Sequence, residues 1–337
     1  MLSIFKKFSS KSFVKTSRKT PILITGGTGF AGSHLVERLS SLGYSQVHVT
    51  SFANKSSYVH TLIPKENIHK IDLTDKKAVF SLIKKIKPRQ IYHLAAISEV
   101  GKSFDQASKI INNNTALQLN LLEAIRQIVP KSRILAVGSA LEYDFLSFKA
   151  TGKNQGIQED HPLGPANPYA VSKVSQDLLS LSYYYSYALD VVRVRPFNHI
   201  GERQAMGFVL SDFAQQIIKC KSQNEKCKIS VGNLKAIRDF TDVKDVVRAY
   251  ILLMEKGKSG EVYNVGSGIG RSMREVLDML IDLSGSKVKV EIDKKKFRPL
   301  DVPRVIADNR KIASLGWKAG VPIQETLVRV LNYWRNL

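Results

Sequence analysis

A glycine-rich loop that joins a short apolar run to an amphipathic stretch constrains the fold of this chain more than any other feature. The run from Pro21 to Thr25 has the composition of a buried strand, and the stretch after the loop places Leu35 and Leu39 on one helical face. Glycines let the backbone turn sharply, and the N–H groups at the start of a helix attract phosphate oxygens. A strand, a loop and a helix in this order therefore predict a pyrophosphate site of a dinucleotide-binding fold. The loop residues assigned to this site are Gly26, Thr28, Gly29, Phe30 and Gly32.

Apolar runs and helical stretches continue to alternate beyond the loop. Further strands are predicted over 47–50, 68–73, 90–96, 134–137 and 190–195. Helices are predicted over about 75–86, over about 103–127 and around Tyr169. This alternation predicts an α/β fold, a Rossmann doubly wound parallel sheet, in which ligands bind beyond the carboxyl ends of the strands.

The alternation loosens after residue 197, which predicts a second, smaller C-terminal domain. The first domain is assigned residues 21–197 and about 238–265, and the second is assigned about 198–237 and 266–337. Residues 1–20 stand apart, with six basic residues and no acid. Their composition is typical of a transit peptide or a surface-binding helix, but a disordered basic tail is the favoured interpretation.

Composition limits the classes of function that the chain can have. The net charge of +22 over 337 residues invites a nucleic-acid interpretation, but the basic residues are spread along the chain and no nucleic-acid-binding motif accompanies them. No apolar run is long enough to cross a bilayer. The only two cysteines, Cys220 and Cys227, suggest neither a metal site nor a disulfide framework. A cytoplasmic protein that binds no nucleic acid, membrane or metal is therefore expected.

The region after the second strand indicates which coenzyme the loop binds. NAD-specific folds place an acid roughly 20 residues past the loop, where it binds the ribose hydroxyls. From Thr50 to Ser57 the chain has no carboxylate, and Lys55 suits a 2′-phosphate. NADP is therefore favoured, with NAD as the alternative. The remaining residues predicted to bind the coenzyme are Asp72, which would meet the adenine amino group, Leu73, Leu94, and the small Ala95 and Ala96.

Tyr169 and Lys173 lie four residues apart, so they share one face of the predicted helix. An ammonium beside a phenol favours the phenolate and lowers the pKa of the tyrosine, which would let Tyr169 exchange a proton near neutral pH. The same spacing occurs by chance on many helices, as a packed tyrosine beside a solvated lysine. Ser139 follows the fifth strand at the edge where ligands bind, and its position favours the catalytic interpretation.

The stretch from Thr25 to Gly32, together with Ser139, Tyr169 and Lys173, resembles the extended short-chain dehydrogenase/reductase family from residue 21 onward. The resemblance implies an NAD(P)-dependent oxidoreductase with Ser139, Tyr169 and Lys173 as its catalytic triad. Tyr169 and Lys173 are also implied to bind the coenzyme, Lys173 through the nicotinamide ribose. Three stretches, 195–201, 232–243 and 298–303, are similar to homodimeric members that reduce C4 of a GDP-linked 4-keto-6-deoxy sugar with NADPH. The residues implied to bind that sugar nucleotide are Asn114, Ser139, Asn198, Arg238 and Arg298.

One departure from the family pattern bears on the reaction. Related 4,6-dehydratases carry a glutamate two residues after the triad serine or threonine, where this chain has Leu141, and an alkyl chain moves no proton. Glu142 is expected to point elsewhere, and Ala140 stands where the reductases have a second serine. The sequence therefore favours a reductase over a dehydratase. A nucleotide-sugar 4-epimerase and a non-catalytic nucleotide sensor on the same fold stay open as alternatives.

Overall fold

The computed structural model describes residues 17–52, 58–98, 100–148, 155–222, 227–297 and 300–337. In chain order its strands are β1 (Ile22–Thr25), β2 (Val47–Ser51), β3 (Ile68–Lys70), β4 (Gln90–His93), β5 (Arg133–Val137), β6 (Asp190–Pro196), β7 (His199–Ile200), β8 (Cys227–Val231), β9 (Ile237–Asp239), β10 (Thr241–Asp242), β11 (Val262–Val265), β12 (Gly270–Ser272), β13 (Val288–Ile292) and β14 (Arg304–Val305). Its helices are α1 (Phe30–Ser41), α2 (Lys76–Ile86), α3 (Ala107–Ile128), α4 (Pro168–Tyr187), α5 (Val209–Ser222), α6 (Val243–Lys256), α7 (Met273–Ser284), α8 (Arg310–Ala313) and α9 (Ile323–Arg335).

Seven strands form one parallel sheet in the order β11-β6-β5-β4-β1-β2-β3. The chain runs outward from β1 to β3 and then returns to the other side of β1, where β4 pairs with it. The order therefore reverses between β1 and β4, and a crevice for ligands opens at such a reversal. This topology confirms the predicted Rossmann doubly wound sheet.

Side chains of β1 alternate between two hydrophobic layers because successive residues of a strand face opposite sides. Ile22 and Ile24 pack in the layer that also contains residues of α1 and α6, whereas Leu23 packs in the opposite layer, with residues of α2 and α3. Helix α3 also packs against α4. The sheet is thus covered on both faces, as parallel sheets of α/β proteins are.

A separate hydrophobic cluster is built from α5, α7 and α9, with Phe213, Leu277 and Leu327 among its buried residues. Ile312 and Trp317, late in the chain, instead pack in the layer that contains residues of α1 and α6. The predicted boundaries of a second domain stay a prediction.

Two predicted strands are shorter in the structure. Strand β3 ends at Lys70 instead of Leu73, because the Asp72 carboxylate accepts bonds from the backbone and hydroxyl of Thr74 and turns the chain toward α2. Strand β4 ends at His93 instead of Ala96. The end of β4 lies next to the glycine loop, where the Leu94 N–H donates to the Thr25 carbonyl oxygen.

The structure describes only the last residues of the predicted basic tail, so its disorder stays a prediction, whereas one cysteine differs from expectation. Residues 1–16 lie outside the described residues, but Arg18 is in place, and its carbonyl oxygen accepts a 3.0 Å bond from the Ser45 N–H. Cys220, on α5, is disulfide-bonded, which corrects the expectation of no disulfide. The other cysteine, Cys227, begins β8, and α5 packs against that strand. Within the described ranges, no helix combines the length and the apolar character needed to span a membrane.

Candidate active site

The glycine loop folds back on itself too closely for larger side chains. A Cβ at Gly32 would lie 2.3 Å from the Gly26 carbonyl oxygen, and Gly26 has a φ of +69°, in the left-handed region. Gly29 caps α1 without a side chain, and the first turn of α1 holds no acidic residue. The helix therefore presents bare N–H groups and its positive dipole end, which fit the pyrophosphate of a dinucleotide.

The carboxyl end of β4 lies directly beside this loop. The Leu94 N–H donates to the Thr25 carbonyl oxygen at 3.2 Å, and the Ala95 N–H donates to the Thr25 hydroxyl at 3.3 Å. A Cβ at Gly26 would lie 3.0 Å from the Ala95 Cα. The structure thus brings Leu94, Ala95 and the adjoining Ala96 together with the loop, and their contact with a coenzyme stays a prediction.

Two further loop residues make contacts that were not predicted. The Thr28 hydroxyl donates to the Ser51 hydroxyl at the end of β2, over 3.2 Å. The Phe30 ring stacks on His199, with ring centroids 5.7 Å apart. Because His199 directly follows Asn198, this stack connects the glycine loop to the segment predicted to bind substrate.

The residues predicted around the adenosine are only partly described. Leu73 is buried in the layer with α2 and α3, and Asp72 is exposed. One oxygen of the Asp72 carboxylate accepts both bonds from Thr74, at 2.8 Å each, and its contact with an adenine amino group stays a prediction. Lys55 lies outside the described residues, and its contact with a 2′-phosphate stays a prediction.

The three triad residues come together at the ends of β5 and α4. Ser139 lies two residues after the end of β5 and is the N-cap of a short 3₁₀ helix, Ala140–Glu142. Helix α4 begins at Pro168 and is capped by the Asn167 side chain, so Tyr169 and Lys173 lie in its first two turns. The Ser139 side chain lies within hydrogen-bonding reach of Tyr169. The Lys173 ammonium donates to the Val137 carbonyl oxygen at 2.8 Å, at the end of the strand that leads to Ser139.

Burial changes the ionisation of this pair in a way that the sequence argument missed. It raises the pKa of Tyr169, and the hydrogen bond with Ser139 offsets only part of that rise. It also lowers the pKa of Lys173 to about 8, against the attraction of Glu142. The prediction that Lys173 lowers the pKa of Tyr169 is wrong for this structure, because desolvation of the phenolate dominates. Tyr169 is therefore a protonated hydrogen-bond donor at neutral pH.

Asn114 is fully buried, and its amide is engaged within the protein. The side-chain oxygen accepts from the Ile97 N–H at 2.8 Å, while the amide nitrogen donates to the Ile97 carbonyl at 3.1 Å and to the Ser172 hydroxyl at 2.9 Å. Ser172 in turn donates to the Tyr169 carbonyl oxygen at 2.7 Å. The predicted substrate contact of Asn114 stays a prediction. The geometry also gives this amide a structural role, because it joins the loop after β4 to the helix that carries Tyr169.

Glu142 also points away from the crevice, and sequence reasoning missed where it goes. One carboxylate oxygen accepts the Ser139 N–H at 2.6 Å, and the other accepts the Arg195 Nε–H at 2.9 Å. Burial and the nearby Asp177 raise the pKa of Glu142, but Arg195 opposes that rise, and both carboxyl oxygens are acceptors in the structure. The spacing from Ser139 to Glu142 is that of a capping box, the pattern from which this contact was predictable.

The residues assigned to the sugar nucleotide are less fully described. Asn198 is exposed just after β6, and its carbonyl oxygen accepts the Thr241 N–H at 2.9 Å. Arg238 lies on β9, where its guanidinium donates to the Asp301 carboxylate at 2.7 Å. Arg298 lies outside the part of the chain that the structure describes. Binding of a diphosphate by Arg238 and Arg298 stays a prediction.

Comparison with known proteins assigns the chain to a family. The profile of the family described as GDP-mannose 4,6 dehydratase matches residues 23–330. The chain belongs to that family. One relative is the GDP-6-deoxy-D-mannose reductase of Pseudomonas aeruginosa. It is 30% identical to this chain over 319 residues, which cover 94% of this chain and 97% of the relative.

Solved structures agree with the family assignment. The structure of RMD from Pseudomonas aeruginosa complexed with NADPH has a TM-score of 0.80 at 28% identity, with 94% of this chain and 99% of that chain covered. The UDP-glucose 4-epimerase of Thermus thermophilus, in complex with NAD, has a TM-score of 0.82 at 28% identity and the same coverage. Membership confirms the family predicted from the motifs and, with it, the prediction of an NAD(P)-dependent enzyme.

Proposed function

We propose that this family member is a reductase that transfers hydride from NADPH to C4 of GDP-4-keto-6-deoxy-D-mannose and releases GDP-D-rhamnose. One observation carries the proposal: the loop after β5 offers the triad serine but no free acid. Leu141 stands where dehydratases have their glutamate, and the carboxylate of Glu142 is bonded to the Ser139 N–H and Arg195. Elimination of water needs an acid or base there, whereas reduction of a ketone needs only one proton donor.

The residues of the site match the needs of that reduction. NADPH, when bound, supplies the hydride that reaches C4. Because Tyr169 is held protonated by burial, its hydroxyl can donate the proton that the carbonyl oxygen takes up. Ser139 donates a hydrogen bond to the same oxygen and stabilises the charge that develops on it. The Lys173 ammonium, one helical turn from Tyr169, is proposed to bind the nicotinamide ribose of the coenzyme.

The preference for NADPH rests on local chemistry and on similarity. The segment from Thr50 to Ser57 has no carboxylate to repel a 2′-phosphate, and Lys55 would attract one. The Pseudomonas aeruginosa RMD structure is a complex with NADPH, although the Thermus thermophilus epimerase structure is a complex with NAD. NADP is therefore the proposed coenzyme.

The GDP-linked substrate, a homodimer and a cytoplasmic location complete the proposal. The similarity to GDP-6-deoxy-D-mannose reductase supports the substrate. Asn198, Arg238 and Arg298 are the residues proposed to bind it, since arginines bind a diphosphate with paired donors. A fluorescent fusion would test the location, and sedimentation would test the dimer.

The deciding experiment combines the protein with GDP-mannose, a separate 4,6-dehydratase and NADPH. We expect NADPH consumption in proportion to product, with GDP-rhamnose identified by NMR, and a rate about 10²–10⁴ lower with Tyr169→Phe. Sustained turnover of a nucleotide sugar without net NADPH consumption would indicate an epimerase instead. Absence of any turnover, with tight coenzyme binding, would indicate a nucleotide sensor.

A 4,6-dehydratase is the second candidate, because the matching family profile carries that description. The same experiment separates the two activities once the added dehydratase is left out. GDP-mannose consumed under that condition would contradict the argument from Leu141. GDP-mannose left intact would support the reductase.

A further inference from the structure

A buried chain of ion pairs lies directly behind the triad. Arg195, on β6, donates to Glu142 at 2.9 Å and to Asp177 at 2.5 Å, and Arg193 donates to Asp177 at 3.1 Å. Glu142 and Asp177 have side chains that are 0% and 2% exposed. Burying a carboxylate destabilises the fold unless its oxygens are bonded to partners. The two arginines supply such partners to both carboxylates, and the cluster is therefore an ordered part of the site.

Glu142 differs from Asp177 in what else it contacts. Its second oxygen accepts the Ser139 N–H at 2.6 Å, a distance typical of a strong bond to a charged acceptor. The Ser139 hydroxyl accepts the Leu141 N–H at 3.2 Å, so the whole turn is closed on the serine. A Cβ at Gly138 would lie 2.2 Å from the Glu142 carboxylate, which leaves only glycine at that position.

We infer that Glu142 is a positioning residue for the reaction: its carboxylate, held by Arg195, fixes Ser139 against the Tyr169 hydroxyl. The inference rests on the proposed function only in so far as the reaction uses Ser139. In this role Glu142 supports the reaction through Ser139 and does not contact the substrate. The Arg195 guanidinium also lies over the Tyr143 ring, 4.6 Å from its centroid, which restricts its movement.

The first test needs no substrate. The amide proton of Ser139, identified in NMR spectra by comparison with Ser139→Ala, is expected far downfield because it donates to a carboxylate. Glu142→Gln keeps an acceptor but removes the charge, so the amide proton should move upfield. Asp177→Asn is the matched control: it also removes a buried carboxylate from Arg195, but it leaves the Ser139 contact in place. A Ser139 amide that is unchanged in Glu142→Gln would overturn the inference.

The second test is a double-mutant cycle on the full-length enzyme. Ser139→Ala should lower kcat by about 10²–10³, as expected for loss of one donor to the developing oxyanion. Glu142→Gln alone should lower kcat at least about tenfold with little change in KM, but less than about twofold in the Ser139→Ala background. Asp177→Asn should lower the melting temperature while costing less kcat than Glu142→Gln.

The outcomes separate this inference from the proposed function. If Glu142→Gln lowers kcat by the same factor in the unmodified enzyme and in Ser139→Ala, the effect is a general structural one. That result would refute the positioning role even if the enzyme is a reductase. If no keto sugar is reduced, the amide measurement still decides whether Glu142 holds Ser139. Glu142→Asp is not expected to restore kcat, because the shorter side chain cannot reach both Ser139 and Arg195.

Discussion

Replacement of Asn114 by alanine should destabilise the fold strongly although it removes no apolar contact of note. The change removes the hydrogen bonds of the amide to the N–H and carbonyl of the half-buried Ile97 and to the buried Ser172 hydroxyl. Each buried hydrogen bond contributes about 1 kcal/mol net, so we expect a loss of about 3 kcal/mol in the free energy of unfolding. The void left by the amide adds to that cost.

Urea unfolding followed by the fluorescence of the buried Trp317 would measure this loss. Asn112→Ala is the matched control, since Asn112 lies on the same helix but is exposed, and its amide donates to the exposed Ser108 hydroxyl at 3.3 Å. The control should change the free energy of unfolding by less than about 0.5 kcal/mol. A loss below about 1 kcal/mol for Asn114→Ala would refute the argument that this amide holds the loop after β4 to α4.

Three further predictions address catalysis, coenzyme choice and pH. Tyr169→Phe should fold normally and lower kcat by about 10²–10⁴, and near-normal turnover would show that another group donates the proton. Lys55→Glu should shift the ratio of kcat/KM values toward NADH, and equal efficiency of the unmodified enzyme with both coenzymes would contradict the NADP assignment. Burial and Arg203 lower the pKa of His34 from 6.5 to about 4, so the unfolded chain takes up a proton first as the pH falls through this window. As the pH falls from 6.5 to about 4, the free energy of unfolding should therefore decrease by up to about 3 kcal/mol more in the unmodified protein than in His34→Gln. Urea unfolding at each pH would measure this difference.

Local pattern in the sequence was sufficient for the fold. The run from Pro21 to Thr25, the glycine spacing after it and the alternation of strands and helices each reflect interactions between residues close in the chain. Such interactions are visible without tertiary contacts, which is why the order of the elements and the loop at the end of β1 were predicted correctly. The strand ends were less predictable, because Asp72 turns the chain through a side-chain bond that apolar pattern does not record.

The ionisation of the site was decided by tertiary structure alone. Spacing on a helix suggested that Lys173 would lower the pKa of Tyr169, but burial by the surrounding elements raises it instead. Desolvation depends on every element packed around a group, and no local pattern measures it.

The hydrogen-bond and ion-pair partners of the buried polar groups were also decided by the tertiary structure. The sequence contains Glu142, Asp177 and Arg195 far apart, and only the folding of β5, α4 and β6 side by side joins them into one chain of ion pairs. Asn114 likewise reaches Ser172 across 58 residues of sequence. Sequence identified the groups that can do the chemistry, whereas the fold determined how they are held, because a buried polar group must find its partners wherever the packed chain brings them.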